Sequence, residues 1–143
     1  KNPPPAIFVA LTFSDTFDAR LTIPLGSAAR RGWQPTVLGF GEETGWGPKA
    51  GTQLLAFKRF LNSHAEASDV VLIFDAYDVM FLGSDVAIRD AFSEMERASG
   101  RSLFFNADPQ CSHTARCGEY PASDSPYRFL NGGVMVGRWR IIQ

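Results

Sequence analysis

Residues 70–78, VVLIFDAYD, constrain the fold of this chain more than any other stretch. Four aliphatic residues and a phenylalanine run without interruption into Asp75, and a second carboxylate follows at Asp78. A half-exposed strand alternates apolar with polar residues. An unbroken apolar run instead fits a strand covered on both faces, as in the parallel sheets of α/β proteins. Ligands of such sheets gather outside the carboxyl ends of the strands, where this run delivers Asp75 and Asp78. Two carboxylates held close together raise each other's pKa unless a cation lies between them. The pair is therefore a candidate site for a divalent metal.

The rest of the chain alternates strand and helix around this run. Residues 6–12 form the first expected strand, after an extended proline arm at 3–5. Ser14 or Asp15 can cap an interrupted helix reaching Arg31, with Gly32 as its stop. Pro24 is expected to break that segment and leave its first half as loop. Residues 35–40 read as a second strand, followed by a glycine-rich loop, GEETGWGPKAG. Thr52 can cap a helix to His64 whose inner face carries Leu54, Phe57 and Leu61. Ser84 caps the next helix, with Asp85 in its first turn, where it favours the dipole. Ile88, Ala91, Phe92 and Met95 make its expected buried stripe, and Gly100 ends it. A fourth strand at 102–106 leads into a long loop holding both cysteines. Residues 129–137 read as a last strand interrupted at Gly132 and Gly133. Such alternation implies βαβ units and a mostly parallel central sheet with helices on both faces.

Bulk properties narrow the function. The chain has 143 residues, a length suited to one domain, and 45% hydrophobic residues, a globular composition. Lys and Arg number 14 against 15 Asp and Glu, with no basic stripe, so a nucleic-acid partner is not expected. No apolar run approaches the ~20 residues of a membrane span. The chain opens KNPPPA without a methionine and stops abruptly at RWRIIQ, so it reads as an N-terminal piece of something longer, with the C-terminal part missing. Cys111 and Cys117 lie in one polar segment; a disulfide and a pair of free thiols are both open from sequence. Metal binding through Cys111, His113 and Cys117 lacks a fourth ligand and any familiar zinc spacing.

An aspartate that ends a strand often does no more than cap a turn. Three neighbours favour a site instead. Tyr77 offers a flat face for a base or ribose, Phe74 closes the site from below, and Asn106 and Asp108 end the next strand on the same edge. FDAYDVMFLG lacks the alternating acids and sixth-position glycine of an EF-hand. No G-x-G-x-x-G or Walker loop is present. Hard carboxylate oxygens suit Mn²⁺ or Mg²⁺ bound together with a diphosphate. Trp33 is expected at the edge of the core. Trp46 either stacks on a sugar or covers the sheet, and Glu42 and Glu43 belong to a solvated loop. His64 ends a helix as a solvated dipole partner.

The ordered set GFGEE (39–43), Gln53 at a helix start, VVLIFDAYDVMFLGS (70–84), FFNAD (104–108), EYP (119–121) and RFLNGGVMVG (128–137) resembles the glycosyltransferase domain of procollagen lysyl hydroxylases. Related collagen galactosyl- and glucosyltransferase-type domains look similar. The resemblance spans residues 6–138 and implies a GT-A fold, a UDP-sugar donor and Mn²⁺. By position, Asp75 and Asp78 match the family's metal-binding D-x-x-D, and Tyr77 the aromatic packed on the nucleotide. Val9, Ala10 and Leu11 match the strand end whose backbone meets the uridine, with Thr12 as the neighbouring candidate. Asn131, Gly132 and Gly133 match the floor of the sugar pocket, where a backbone without Cβ can approach a ligand.

The chain also departs from that pattern. The family's third metal ligand, a histidine, and its acidic stretch would both fall after Gln143, and neither His64 nor His113 matches. The lysine after the glutamine is Leu54 here, and the tryptophan after the loop cysteine is replaced around Ser112 and His113. The aromatic of the Gln53 helix survives as Phe57, which core packing explains equally well. No catalytic base stands out.

The resemblance implies transfer of a hexose from UDP-glucose or UDP-galactose to a hydroxyl acceptor, a hydroxylysine or glycan of a collagen-like protein. The compartment would be the secretory lumen, endoplasmic reticulum or Golgi, or the secreted space. The alternative is a non-catalytic nucleotide-binding or protein-interaction module of the same fold. A phosphatase using Asp75 is a weaker option, since its second aspartate falls three residues on rather than two.

Overall fold

A computed structural model describes residues 7–42, 51–66, 69–111 and 114–142. Five strands form one sheet in the order β2-β1-β3-β5-β4. β1 (Phe8–Phe13), β2 (Thr36–Leu38) and β3 (Val70–Phe74) are mutually parallel. β5 (Phe129–Arg138) runs antiparallel between β3 and β4 (Leu103–Asp108). Four strands thus point one way and one returns.

The unbroken apolar character of β3 has the expected cause, because both faces of the sheet are covered. Phe8, Ala10, Leu72, Phe74, Val134 and Val136 face a cluster that holds Ala28 and Trp33, Phe81, and Ile88. These come from α1 (Thr22–Arg30) and the turn after it, the segment beyond β3, and α3 (Asp85–Ser99). Val9, Leu11, Phe13, Val71 and Ile73 face Phe57 and Leu61 of α2 (Thr52–His64) and Trp139 of the short α4 (Trp139–Ile142). Successive strand residues point to opposite faces, so one strand serves two helix layers.

Several local expectations are met. Ser84 caps α3 by accepting the Ala87 N–H at 3.2 Å, and Gly100 closes it in a left-handed conformation at φ 67°. Trp33 is buried and donates its indole N–H to the Gly83 carbonyl at 3.3 Å. His64 is exposed at the end of α2, stacked on Phe60.

Other expectations need correction. Pro24 does not break α1, because it occupies the first turn, where a missing N–H costs nothing. The cap ahead of it is Asp18, which accepts the Arg20 N–H at the 3-10 turn Ala19–Leu21; neither Ser14 nor Asp15 takes that role. Thr52 is the first residue of α2, and Gly51 precedes it without a side-chain cap. Leu54 is 69% exposed, and the buried stripe of α2 runs through Ala56, Phe57 and Leu61. In α3 only Phe92 is fully buried, while Ala91 and Met95 face solvent. β5 is continuous through both glycines.

At the amino end of β3, buried Asp69 ties three segments together. Its carboxylate accepts the N–H of Ile7 at 2.8 Å and of Glu66 at 2.7 Å, and its carbonyl accepts the N–H of Trp139 at 3.0 Å. Cys111 and Cys117 form a disulfide, which settles the choice left open by the sequence and removes both sulfurs from any metal site.

Candidate functional site

At the opposite, carboxyl end of β3 lies a cavity of about 500 Å³. Asp75, Ala76, Tyr77 and Asp78 line it together with Phe13, Arg20 and Gln53. Its size falls within the range of small-ligand sites. Phe74 beneath is buried and packs edge-on against Phe81 at 4.9 Å. The apolar strand therefore forms a rigid floor, and the polar residues begin where the strand stops.

Asp75 is anchored through its backbone, whose N–H donates to the Gly133 carbonyl at 2.8 Å. Its carboxyl lies over Gly133. A Cβ at that glycine would stand 3.1 Å from Asp75 Oδ2 and 2.8 Å from Asn131 Oδ1. A methyl group there would press on both of these side chains. At Gly132 a Cβ would meet nothing within 4 Å, so the two adjacent glycines have different reasons to exist.

Partial burial raises the pKa of Asp75 above the ordinary carboxylate range, and the negative charge of Asp78 raises it further. Although Asp75 keeps much of its surface open, its carboxyl is thus recessed enough to feel the lost hydration. Neither Asp75 nor Asp78 has a cationic partner among the described residues. The two carboxylates share one cavity and act on one another, as a shared ion would require. No cluster of three or more His, Cys, Asp or Glu suited to a metal exists among the described residues; the cavity holds these two carboxylates.

Tyr77 is fixed by a short network. Ser14, itself buried, donates its hydroxyl to the Thr16 carbonyl, so the 2.9 Å contact between Ser14 Oγ and the Tyr77 hydroxyl has tyrosine as donor. The Arg20 guanidinium lies 4.6 Å from the centre of the Tyr77 ring. Arg20 also forms a two-point pair with Asp18, through Nε at 3.0 Å and Nη2 at 2.7 Å. That pairing holds the Asp18 pKa down at about 2 and raises that of Arg20. Arg20 was not singled out by sequence, because an arginine beside an aspartate on a loop carries no pattern of its own.

The other candidates are spread over two strands. Thr12 is buried and donates its hydroxyl to the Phe74 carbonyl at 2.7 Å. Val9, Ala10 and Leu11 lie further back, paired with Val71, Leu72 and Ile73. Among the described residues of β1, Phe13 lines the cavity. Asn131 bridges the two sides of β5: its Oδ1 accepts the Gly133 N–H at 2.6 Å, and its Nδ2 donates to Asp108 Oδ2 at 3.3 Å. Asn106 pairs with Asn131 across a register shift that leaves residues 132–134 without partners on β4. Glu43, Trp46, Ser112 and His113 lie outside the described residues. Glu42 contacts Arg59 at 3.4 Å. No described helix is long and apolar enough to cross a membrane.

A protein of Caenorhabditis elegans described as a multifunctional procollagen lysine hydroxylase and glycosyltransferase is 32% identical over 108 residues, covering 71% of this chain and 14% of that protein. The chain thus spans only a small part of that relative's length. A family model described as the PLOD GT domain matches residues 7–143. The mixed sheet covered on both faces agrees with the GT-A-type architecture expected of that family. Because the match takes in nearly the whole chain, this protein belongs to the PLOD GT domain family, a family of glycosyltransferase domains.

Proposed function

We propose that this chain forms the donor-binding part of a metal-dependent glycosyltransferase that moves a hexose from a UDP-sugar to a hydroxyl acceptor. The observation that carries this is the pairing of Asp75 and Asp78 in one cavity, where the charge of Asp78 raises the pKa of Asp75 and neither carboxylate forms a salt bridge among the described residues. A hard divalent ion such as Mn²⁺ or Mg²⁺ fits that donor set, since it removes the like-charge cost and takes carboxylate oxygens. When bound, the ion supplies charge stabilisation to a departing diphosphate.

The chain's own residues do the rest. Gly133 allows the Asp75 carboxyl to settle against β5, and Asn131 fixes the backbone below it. Tyr77, held by Ser14, presents a rigid ring at the cavity wall. Gln53 lies in the first turn of α2, whose amino end favours an anion in the same space. Stabilisation would be electrostatic and preorganised, acting on charge that develops as the glycosidic bond breaks. In this proposal the donor is UDP-glucose or UDP-galactose, and the acceptor a hydroxylysine or glycan of a collagen-like protein. The lumen of the secretory pathway is the compartment, to which the Cys111–Cys117 disulfide lends support.

Calorimetric titration with Mn²⁺ and UDP tests the proposal. UDP should bind only with the metal, and both Asp75→Asn and Asp78→Asn should abolish that dependence. UDP binding indifferent to both carboxylates would overturn it. One observation favours a second reading, a non-catalytic nucleotide-binding module: the described residues offer two metal ligands, not three. Metal-dependent UDP binding without hexose transfer in the full-length protein would select that alternative.

A further inference from the structure

We infer that Arg20 is the residue that receives the diphosphate of the nucleotide, and that Tyr77 and Asp18 hold its guanidinium in place for that task. The inference rests on the donor-site proposal above and goes beyond it by naming the phosphate-binding side chain.

Four observations converge. Arg20 lines the same cavity as Asp75, Asp78 and Gln53. It is the cationic residue among the described lining residues, in a space whose other charges are two carboxylates. Its guanidinium lies over the Tyr77 ring at 4.6 Å, a geometry that restricts the plane of the group at little cost in hydration. Its Nε and Nη2 are committed to Asp18, while its Nη1 has no hydrogen-bond partner among the described residues.

The arrangement is that of a held fork. The Asp18 carboxylate is set by accepting the Arg20 backbone N–H at 2.8 Å, and Tyr77 is set by Ser14. A flexible arginine on an exposed loop would lose rotamer freedom on meeting an anion. This one has lost most of it already, so less is forfeited on binding. The remaining N–H groups form a planar donor edge, matched to phosphate oxygens in a way that a lysine ammonium is not. Because Asp18 stays ionised down to a pH of about 2, its grip on Arg20 does not vary across the neutral range.

The ligand chemistry is thus a nucleoside diphosphate bridged between a divalent ion at Asp75 and Asp78 and the guanidinium of Arg20. The uracil itself owes nothing to Arg20. Phosphate dependence and base dependence can therefore be separated.

Binding of UDP, UMP and uridine should be measured by calorimetry with saturating Mn²⁺ for the unaltered chain, Arg20→Gln and Arg20→Lys. Arg20→Gln should weaken UDP by about tenfold or more, the size of a lost charge-assisted contact, and leave uridine within about twofold. Arg20→Lys should fall between, keeping the charge and losing the fork. Equal losses for UDP and uridine would overturn the inference, since Arg20 would then act only by supporting Tyr77. Unchanged UDP affinity in Arg20→Gln would also overturn it. Should the unaltered chain fail to bind UDP with Mn²⁺, the donor-site proposal itself falls and the assignment of Arg20 with it. That result differs from a failure confined to the variants. The Arg20 side chain is 64% exposed, so both variants should melt within a few degrees of the parent, which circular dichroism checks.

Discussion

Substituting the two adjacent glycines of β5 separately should give opposite results. Neither is at positive φ, so the backbone accepts alanine at both positions. At Gly132 the new methyl enters open space, and the gain is the reduced freedom of the unfolded chain, about 0.4–1 kcal/mol. At Gly133 the methyl would lie 2.8 Å from Asn131 Oδ1 and 3.1 Å from Asp75 Oδ2. Asn131 cannot withdraw freely, because that oxygen accepts the Gly133 N–H at 2.6 Å. Overpacking of this kind costs about 1–3 kcal/mol, and loss of the hydrogen bond adds about 1 kcal/mol. Set against the same entropic gain, Gly133→Ala should be destabilising by roughly 1–3 kcal/mol. Urea denaturation at constant slope reads both values. Gly133→Ala should also weaken Mn²⁺-dependent UDP binding, since the Asp75 carboxyl must move. Shifts of the same sign and size for the two variants would refute the steric argument.

The remaining expectations are more local. Asp69→Asn removes one of two acceptors for part-buried N–H groups on a buried side chain and should cost about 1–3 kcal/mol in chemical denaturation. Reducing the Cys111–Cys117 bond, or replacing both residues by serine, should lower stability by about 2 kcal/mol, given the short loop it closes. Hydrogen bonds from Arg138 are the main cause holding the Glu96 pKa below its usual value, with Ser102 assisting. A depressed carboxylate stabilises the fold above its unfolded pKa and loses that contribution as pH falls through the folded value. The Glu96 carboxylate lies near bulk water, so Glu96→Gln should flatten the acid limb of a stability–pH profile by only about 0.5–1 kcal/mol.

What the sequence made legible was whatever a short segment decides alone. β3 announced itself because burial on both faces demands an uninterrupted apolar run. Ser84 and Gly100 marked the ends of α3 because caps act within a few residues. Asp75 and Asp78 were legible as the polar end of that strand, and both line the cavity there. Helix faces were less legible, since Leu54, Ala91 and Met95 have helical spacing but are exposed. The reversed direction of β5 left no local trace, because it is set by pairing partners tens of residues away. Asp69 and Arg20 were missed for the same reason. One is buried by contacts with Ile7, Glu66 and Trp139, the other placed by Tyr77, and no spacing rule links such positions.

The knot at Asp69 also fixes how the chain can be handled. Ile7 and Trp139, close to the two limits of the described chain, are both fastened to this one residue. From there to Asp75 is six steps along an extended strand, about 20 Å. A fluorophore, purification tag or surface tether joined near either limit would start at the far pole of the sheet from the Asp75 cavity. By the same geometry, a side chain next to Trp139 lies the full depth of the sheet away from Asp75 and Asp78.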